Sequence, residues 1–390
     1  MISVEEAKRI IMEHVPSLGP DMVALGGAGG YVFKPVFAHY DHPLFDMSAV
    51  DGYALTWDGS TTHWNVVGEI AAGEVMTGAL SSGECARIFT GAMMPKGADT
   101  VVMQEFAVRS YQIMSHTDAR LRSGANVRKK GEHVRQGDLV LTAGQRLNSA
   151  AKGLLASVGV TDVHMVHAPE VLVINTGSEF TTERNLRPGL IFNSNEIILD
   201  DLLQRARTIA EFVPVADHMS QLEEAIRYGL ANSDVLISTG GASVGDHDLV
   251  EEAVKRCGGR IVFHGVGQKP GKPMLFALFG EKPFFGLPGN PRAVMVLFWE
   301  YVLPFLRAMQ GAKEPWLVID HLPIGHNLEV KGDRAEFRAA QVRGGKVTLL
   351  RDEGSHMLRS LIDADALAYV PADRRSWTEG DHIEVHYIPR

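Results

Sequence analysis

Two stretches of this sequence place residue types suited to holding anions at short spacing. The first is 234–248, Asp-Val-Leu-Ile-Ser-Thr-Gly-Gly-Ala-Ser-Val-Gly-Asp-His-Asp. The apolar run Val235, Leu236 and Ile237 predicts a buried strand, and a helical pattern begins at Asp248. Between them stand Gly240, Gly241, Ser243 and Gly245. A Gly-rich turn at a helix N-terminus presents backbone N–H groups and lets a phosphate approach closely. Asp246 and Asp248 beside it would repel a phosphate unless a hard cation lay between, and Mg²⁺ is commonly held by carboxylates together with phosphate oxygens. Taken alone, the stretch also reads as an ordinary strand-to-helix turn with Asp248 as N-cap. The second stretch is 264–273, His-Gly-Val-Gly-Gln-Lys-Pro-Gly-Lys-Pro. Lys269 and Lys272 supply point charges for an oxyanion, in a loop stiffened by Pro270 and Pro273. On its own it is equally a surface loop with two solvated lysines. Pro288-Gly289-Asn290-Pro291 forms a third rigid turn, just before a helix.

The elements around these loops alternate. Strands are expected at Val171–Ile174, Thr208–Val215, Val235–Ser238, Arg260–Phe263 and Phe284–Leu287. Helices are expected at Asn195–Arg207, Ser220–Leu230, Asp248–Lys255 and Arg292–Met309. This is the pattern of a doubly wound, mostly parallel sheet covered on both faces. Ligands of such sheets bind outside the carboxyl ends of the strands. Those ends carry Thr176, Gly177 and Glu179, then Asp217, then Gly240–Asp248, then Pro288, Asn290 and Pro291, so four loops converge on one crevice.

Ahead of this region, Ser3 and Glu6 have capping-box spacing before an amphipathic helix expected over 3–15. The stretch 20–40 shows no clear period. Short strands and glycine turns over 64–142, including Asp138–Leu141, predict a β-rich domain. Residues 148–158 read as a helix. After 315 the chain returns to strands, the first expected at Trp316–Ile319, giving a small C-terminal β-barrel or sandwich.

The 390 residues exceed one ordinary core, so two to four domains are expected. Net charge is −9, which excludes nucleic-acid binding as the main role. The two cysteines, Cys85 and Cys257, offer no disulfide framework and no thiolate metal site. The N-terminus does not read as a signal peptide, no apolar run approaches a membrane span, and the cytoplasm is the expected compartment.

Six motifs in order resemble those of the molybdopterin molybdenumtransferase family. They are Asp46-Met47-Ser48-Ala49-Val50-Asp51-Gly52-Tyr53-Ala54; Thr90-Gly91 with Val101-Val102-Met103-Gln104-Glu105; Thr176-Gly177-Ser178-Glu179; Gly240-Gly241-Ala242-Ser243-Val244-Gly245; Lys269-Pro270-Gly271-Lys272-Pro273; and Leu287-Pro288-Gly289-Asn290-Pro291. The resemblance covers nearly the whole chain. It implies four parts: residues 1–40 with 143–165, a β-rich lid at 41–142, the α/β molybdopterin-binding domain at 166–310, and a β-domain at 311–390. It implies a homodimer whose active site lies between the α/β domain of one subunit and the lid of the other. The implied reaction is Mg²⁺-dependent cleavage of adenylylated molybdopterin with molybdate, giving molybdenum cofactor and AMP. Asp51 and Thr90 are implied to reach the substrate from the lid. Glu179, Asp217 and Asp248 are implied to serve Mg²⁺ and water. Lys269 and Lys272 would hold phosphate or molybdate, with Ser355 near the molybdate. Implied partners are a molybdopterin adenylyltransferase and apo-molybdoenzymes or their chaperones. The chain departs from the family pattern at Val50, His133, Ser178 and Gly265. A non-catalytic molybdopterin carrier and a molybdopterin adenylyltransferase are the alternative readings.

Overall fold

The computed structural model describes residues 1–389 except 178–179, 181–187, 241–248, 352–353 and 355. Glu179, Gly241, Ser243, Gly245, Asp248 and Ser355 therefore lie outside the described residues.

A six-stranded sheet forms the centre. Its spatial order is Ile209–Val215, Glu170–Thr176, Val235–Thr239, Lys282–Leu287, Leu275–Phe279, Arg260–His264. The first four neighbours pair in parallel. Leu275–Phe279 pairs antiparallel with both of its neighbours. That strand was not expected. Reversing there restores the common direction to Arg260–His264. The loop after it, which carries Lys269 and Lys272, therefore opens on the same edge as the loops after Thr239 and Leu287.

The strands are near-continuously apolar because both faces are covered. Val171, Val173, Val235, Ile237 and Phe285 face one core, shared with helix Ser194–Arg205 and the long helical segment after Pro291. Leu172, Ile174, Leu236 and Phe284 face the other, under helices Met219–Asn232 and Leu249–Arg256. The helix expected over Arg292–Met309 is continuous in space but not uniform. Pro291–Leu297 and Leu303–Met309 are α-helical, and Phe298–Val302 between them is a π-helical turn. Buried Glu300 sits in that turn.

The N-terminal helix is shorter than expected, Val4–Met12, with Ser3 Oγ accepting from the Glu6 N–H at 3.1 Å. Val4, Ala7 and Ile11 join the core under the central sheet, alongside Phe337 and Leu367 of the C-terminal domain. Within 20–40 the structure places two short strands. Pro20–Ala24 pairs with Asp162–Val166, and Val36–Phe37 pairs with Leu139–Leu141. Leu139–Leu141 thus does not belong to the six-stranded sheet of the β-rich region, whose order is Thr100–Met103, Gly52–Leu55, Glu84–Ile88, His63–Ile70, Ile113–His116, Ala107–Ser110.

In the C-terminal domain the first strand is Ile319–Pro323, later than expected, because Leu317 is drawn into the core below. Its sheet is joined to the α/β domain by one parallel pairing, Gln268 with Ala335 and Lys269 with Glu336. No described helix is long and apolar enough to cross a membrane.

Candidate active site

The crevice begins where strand order reverses. Glu170–Thr176 has Ile209–Val215 on one side and Val235–Thr239 on the other. Open α/β sheets bind ligands at such points. Thr176 Oγ1 donates to the Thr239 carbonyl at 3.1 Å, and Thr239 Oγ1 donates to Asn175 Oδ1 at 3.3 Å. Buried polar groups require such partners, and these bonds pin the two strand ends together. Gly240 follows with φ +81°, and a Cβ there would stand 2.4 Å from the Thr176 carbonyl oxygen. Only glycine fits that conformation at that distance. Asn195 Nδ2 donates to the Gly289 carbonyl at 2.8 Å and so ties the Pro288–Pro291 turn to the same place. The Gly177 N–H donates to the Val215 carbonyl at 3.2 Å, and exposed Asp217 lies two residues beyond that strand.

Lys269 and Lys272 line one open cavity of about 440 Å³ with Asn290, Arg334 and Gly354. Asn290 directly follows Gly289, so this basic cavity adjoins the Thr176–Gly240 crevice. The loop is held from beneath. Gln268 is fully buried, accepts from the Tyr301 hydroxyl, and donates to the Pro270 carbonyl at 2.8 Å. Arg292, also buried, reaches the Met357 carbonyl at 3.2 Å and Ser360 Oγ at 2.7 Å. That fixes the segment carrying Gly354 to the helix after Pro291.

Arg334 was missed by sequence reasoning. It directly precedes the strand Ala335–Arg343, more than sixty residues from Lys269. Only the pairing of Gln268–Lys269 with Ala335–Glu336 brings it to the lysines.

Asp51 and Thr90 are brought together, but not to this cavity. Asp51 Oδ1 accepts from the Thr90 N–H at 2.8 Å and from Thr90 Oγ1 at 2.7 Å. These bonds, the hydroxyl's first, hold the Asp51 carboxyl below its ordinary value. Arg87 lies nearby, donating to the Gly52 carbonyl at 3.1 Å and Gln104 Oε1 at 2.7 Å. The pair is thus a rigid, ionised feature of the lid.

Neither cysteine suits a nucleophile. Burial pushes the Cys85 thiol up to about 12 and the Cys257 thiol upward as well. Among the described residues no three His, Cys, Asp or Glu side chains are grouped to hold a metal ion.

Three family profiles match the chain in order. They are the MoeA N-terminal region (domain I and II) over residues 2–159, a "Probable molybdopterin binding domain" over 172–308, and the MoeA C-terminal region (domain IV) over 322–388. The molybdopterin molybdenumtransferase of Nostoc sp. is 34% identical across 100% of this chain and 94% of its own length. The chain belongs to the molybdopterin molybdenumtransferase family. The family member from Staphylococcus epidermidis is also 34% identical, over 98% of this chain and 95% of its own. Among solved structures, two molybdopterin biosynthesis MoeA proteins of Pyrococcus horikoshii align over 100% of both chains. One has TM-score 0.81 at 29% identity and the other 0.84 at 25%. As a molybdenumtransferase family member, the protein is an enzyme of molybdenum cofactor biosynthesis.

Two of the departures from the family pattern have local explanations. His133 packs edge-on against His42, ring centroids 5.5 Å apart. Gly265 has φ +94°, a conformation that L side chains rarely adopt.

Proposed function

We propose that this enzyme cleaves the phosphoanhydride of adenylylated molybdopterin in the presence of molybdate, releasing AMP and leaving molybdenum on the dithiolene. The observation that carries this reading is the cavity shared by Lys269, Lys272 and Arg334 beside the Thr176–Gly240 crevice. Three cations suit a tetrahedral oxyanion, and the adjoining switch-point crevice suits an elongated phosphorylated ligand. In this reading Thr176, Gly177, Gly240, Pro288, Asn290 and Pro291 seat the pterin substrate. The lysines and Arg334 hold molybdate and offset charge on the phosphates. Asp217 has the hard oxygen donor that Mg²⁺ takes, with Glu179 and Asp248 as its proposed companions. Bound there, Mg²⁺ would supply neutralisation of phosphate charge.

The four parts named above act as a homodimer in this account, with Asp51 and Thr90 serving the cleft of a second copy. The bonds of Asp51 stay within its own lid. The outer strand Ile209–Val215 pairs on one side, and Ile209 on it and Ile197 on the helix packed against it are exposed. Cytoplasmic residence, receipt of substrate from an adenylyltransferase, and delivery to apo-molybdoenzymes or their chaperones complete the proposal.

The test is cofactor transfer. Product formed from adenylylated molybdopterin and molybdate should activate an apo-molybdoenzyme. Tight binding of the precursor with no transferable cofactor would instead make the protein a carrier.

A further inference from the structure

A second basic pocket lies away from the cleft, where the N-terminal β-region meets the α/β domain. It is a small cavity of about 60 Å³, lined by Arg146, Arg205, Arg207, Arg307, Tyr31 and Gln310 over an apolar floor that includes Trp299. No Asp or Glu lines it among the described residues. In a chain where acidic residues outnumber basic ones, 47 to 38, a pocket wall with four arginines and no lining carboxylate is a local inversion of charge.

The arginines are not equivalent. Arg205 already pairs with Asp201 at 2.7 Å. Arg307 is half-buried, and its bonds run to the Pro315 and Trp316 carbonyls at 3.1 and 3.2 Å. Burial, joined by the charge of Arg146 nearby, pulls its pKa below the ordinary arginine value. A half-buried cation facing a second cation costs free energy unless an anion joins them. Arg207 adopts a left-handed conformation, φ +57°, just past the helix Ser194–Arg205. Its guanidinium lies over Gly29, where a Cβ would stand 1.4 Å from Nη1. The missing side chain at Gly29 makes the space for that charge. Side chains from two domains thus surround a volume suited to one small oxyanion, with planar donors of the kind that bind phosphate.

We propose that this pocket binds a phosphate-sized tetrahedral oxyanion, either the free ion or the terminus of a phosphomonoester, across the junction of the N-terminal β-region and the α/β domain. The site is separate from the lysine cavity and does not depend on the proposed reaction. Its occupant would tie the two domains together, so binding should register as thermal stabilisation.

The test uses the full chain carrying K269A and K272A, so that the lysine cavity loses two of its three cations. Melting temperature and calorimetric affinity are measured in sodium phosphate against sodium chloride at matched ionic strength. A saturable, phosphate-specific rise is expected. Adding R146A with R207N, asparagine being tolerant of the left-handed position, should weaken affinity by about tenfold or more. G29V removes no charge but displaces Arg207, and should give a comparable loss, which a mere change of net charge would not. A parallel series with glycerol 3-phosphate separates the sources. Tighter binding than phosphate assigns an organic phosphomonoester, and equal or weaker binding assigns the free ion. No phosphate-specific response in the K269A/K272A chain, or a response untouched by R146A/R207N and G29V, would overturn the assignment.

Discussion

The Tyr301 hydroxyl donates to Gln268 Oε1, and Gln268 passes the connection on to the Pro270 carbonyl in the lysine loop. A residue of the π-helical turn therefore holds the backbone between Lys269 and Lys272. Tyr301→Phe leaves the buried Gln268 acceptor without its donor, and should lower stability by about 1–3 kcal/mol in denaturant unfolding. Because the loop loosens, KM for molybdate should rise more than kcat falls. An unchanged KM would show that the loop is fixed without this bond. Arg334→Ala should raise the same KM with little loss of stability.

Glu300, one residue earlier, is buried and binds both Lys8, at 2.6 Å, and His386, at 2.8 Å. Burial is the largest influence on each group. It acts to lower the His386 pKa and to raise that of Glu300, yet the bonds from Glu300 and Glu384 raise His386, and those from His386 and Lys8 lower Glu300. The raised His386 contributes stability that is fully present below 6.5 and is lost as pH rises through its folded value. The lowered Glu300 contributes stability present above 4.5 and lost as pH falls through its folded value. Stability measured against pH should fall on both sides of the interval between them. His386→Ala should remove the alkaline limb and cost about 3 kcal/mol, because it strips a partner from a buried charge. An alkaline limb that persists in the variant would refute the linkage.

At Gly240 the backbone is left-handed and pressed against Thr176. Gly240→Ala should destabilise the fold by about 1–3 kcal/mol and weaken precursor binding together, since strain and the crevice wall share one residue. Thr176→Val, which removes the hydroxyl alone, should be milder. Thermal melts and precursor titration of both variants would check the ranking.

Among the described residues the Asp51 carboxylate is hydrogen-bonded by Thr90 alone, so Asp51→Ala should reduce activity far more than melting temperature. Mixing Asp51→Ala and Lys269→Ala chains should restore about a quarter of wild-type activity if each site joins two copies, because half of the dimers are mixed and one of their two sites is intact. No recovery would place the whole site in one chain.

Much of this architecture was legible because its signals are local. Ser3 and Glu6 mark a helix start, and Val4, Ala7 and Ile11 mark its buried face. The runs around Val171, Val235 and Phe284 are short, apolar and closed by glycine turns, as buried parallel strands are. Leu275–Phe279 was not legible. It is separated by only Gly280 and Glu281 from the next strand, and a short apolar run has no period to declare its type. The π-helical turn escaped because no local pattern marks it, and buried Glu300 within it pairs with Lys8 and His386 from opposite ends of the chain. Within the candidate site, Thr176, Gly240, Lys269, Lys272 and Asn290 could be found from turn chemistry and motif order. Arg334 could not, because one two-residue pairing between domains delivers it.

The most direct measurement is AMP release from adenylylated molybdopterin by the purified protein with Mg²⁺, with and without molybdate. The account predicts release that molybdate stimulates and that Lys269→Ala with Lys272→Ala abolishes. Precursor that binds tightly while no AMP appears, with or without molybdate, would contradict it.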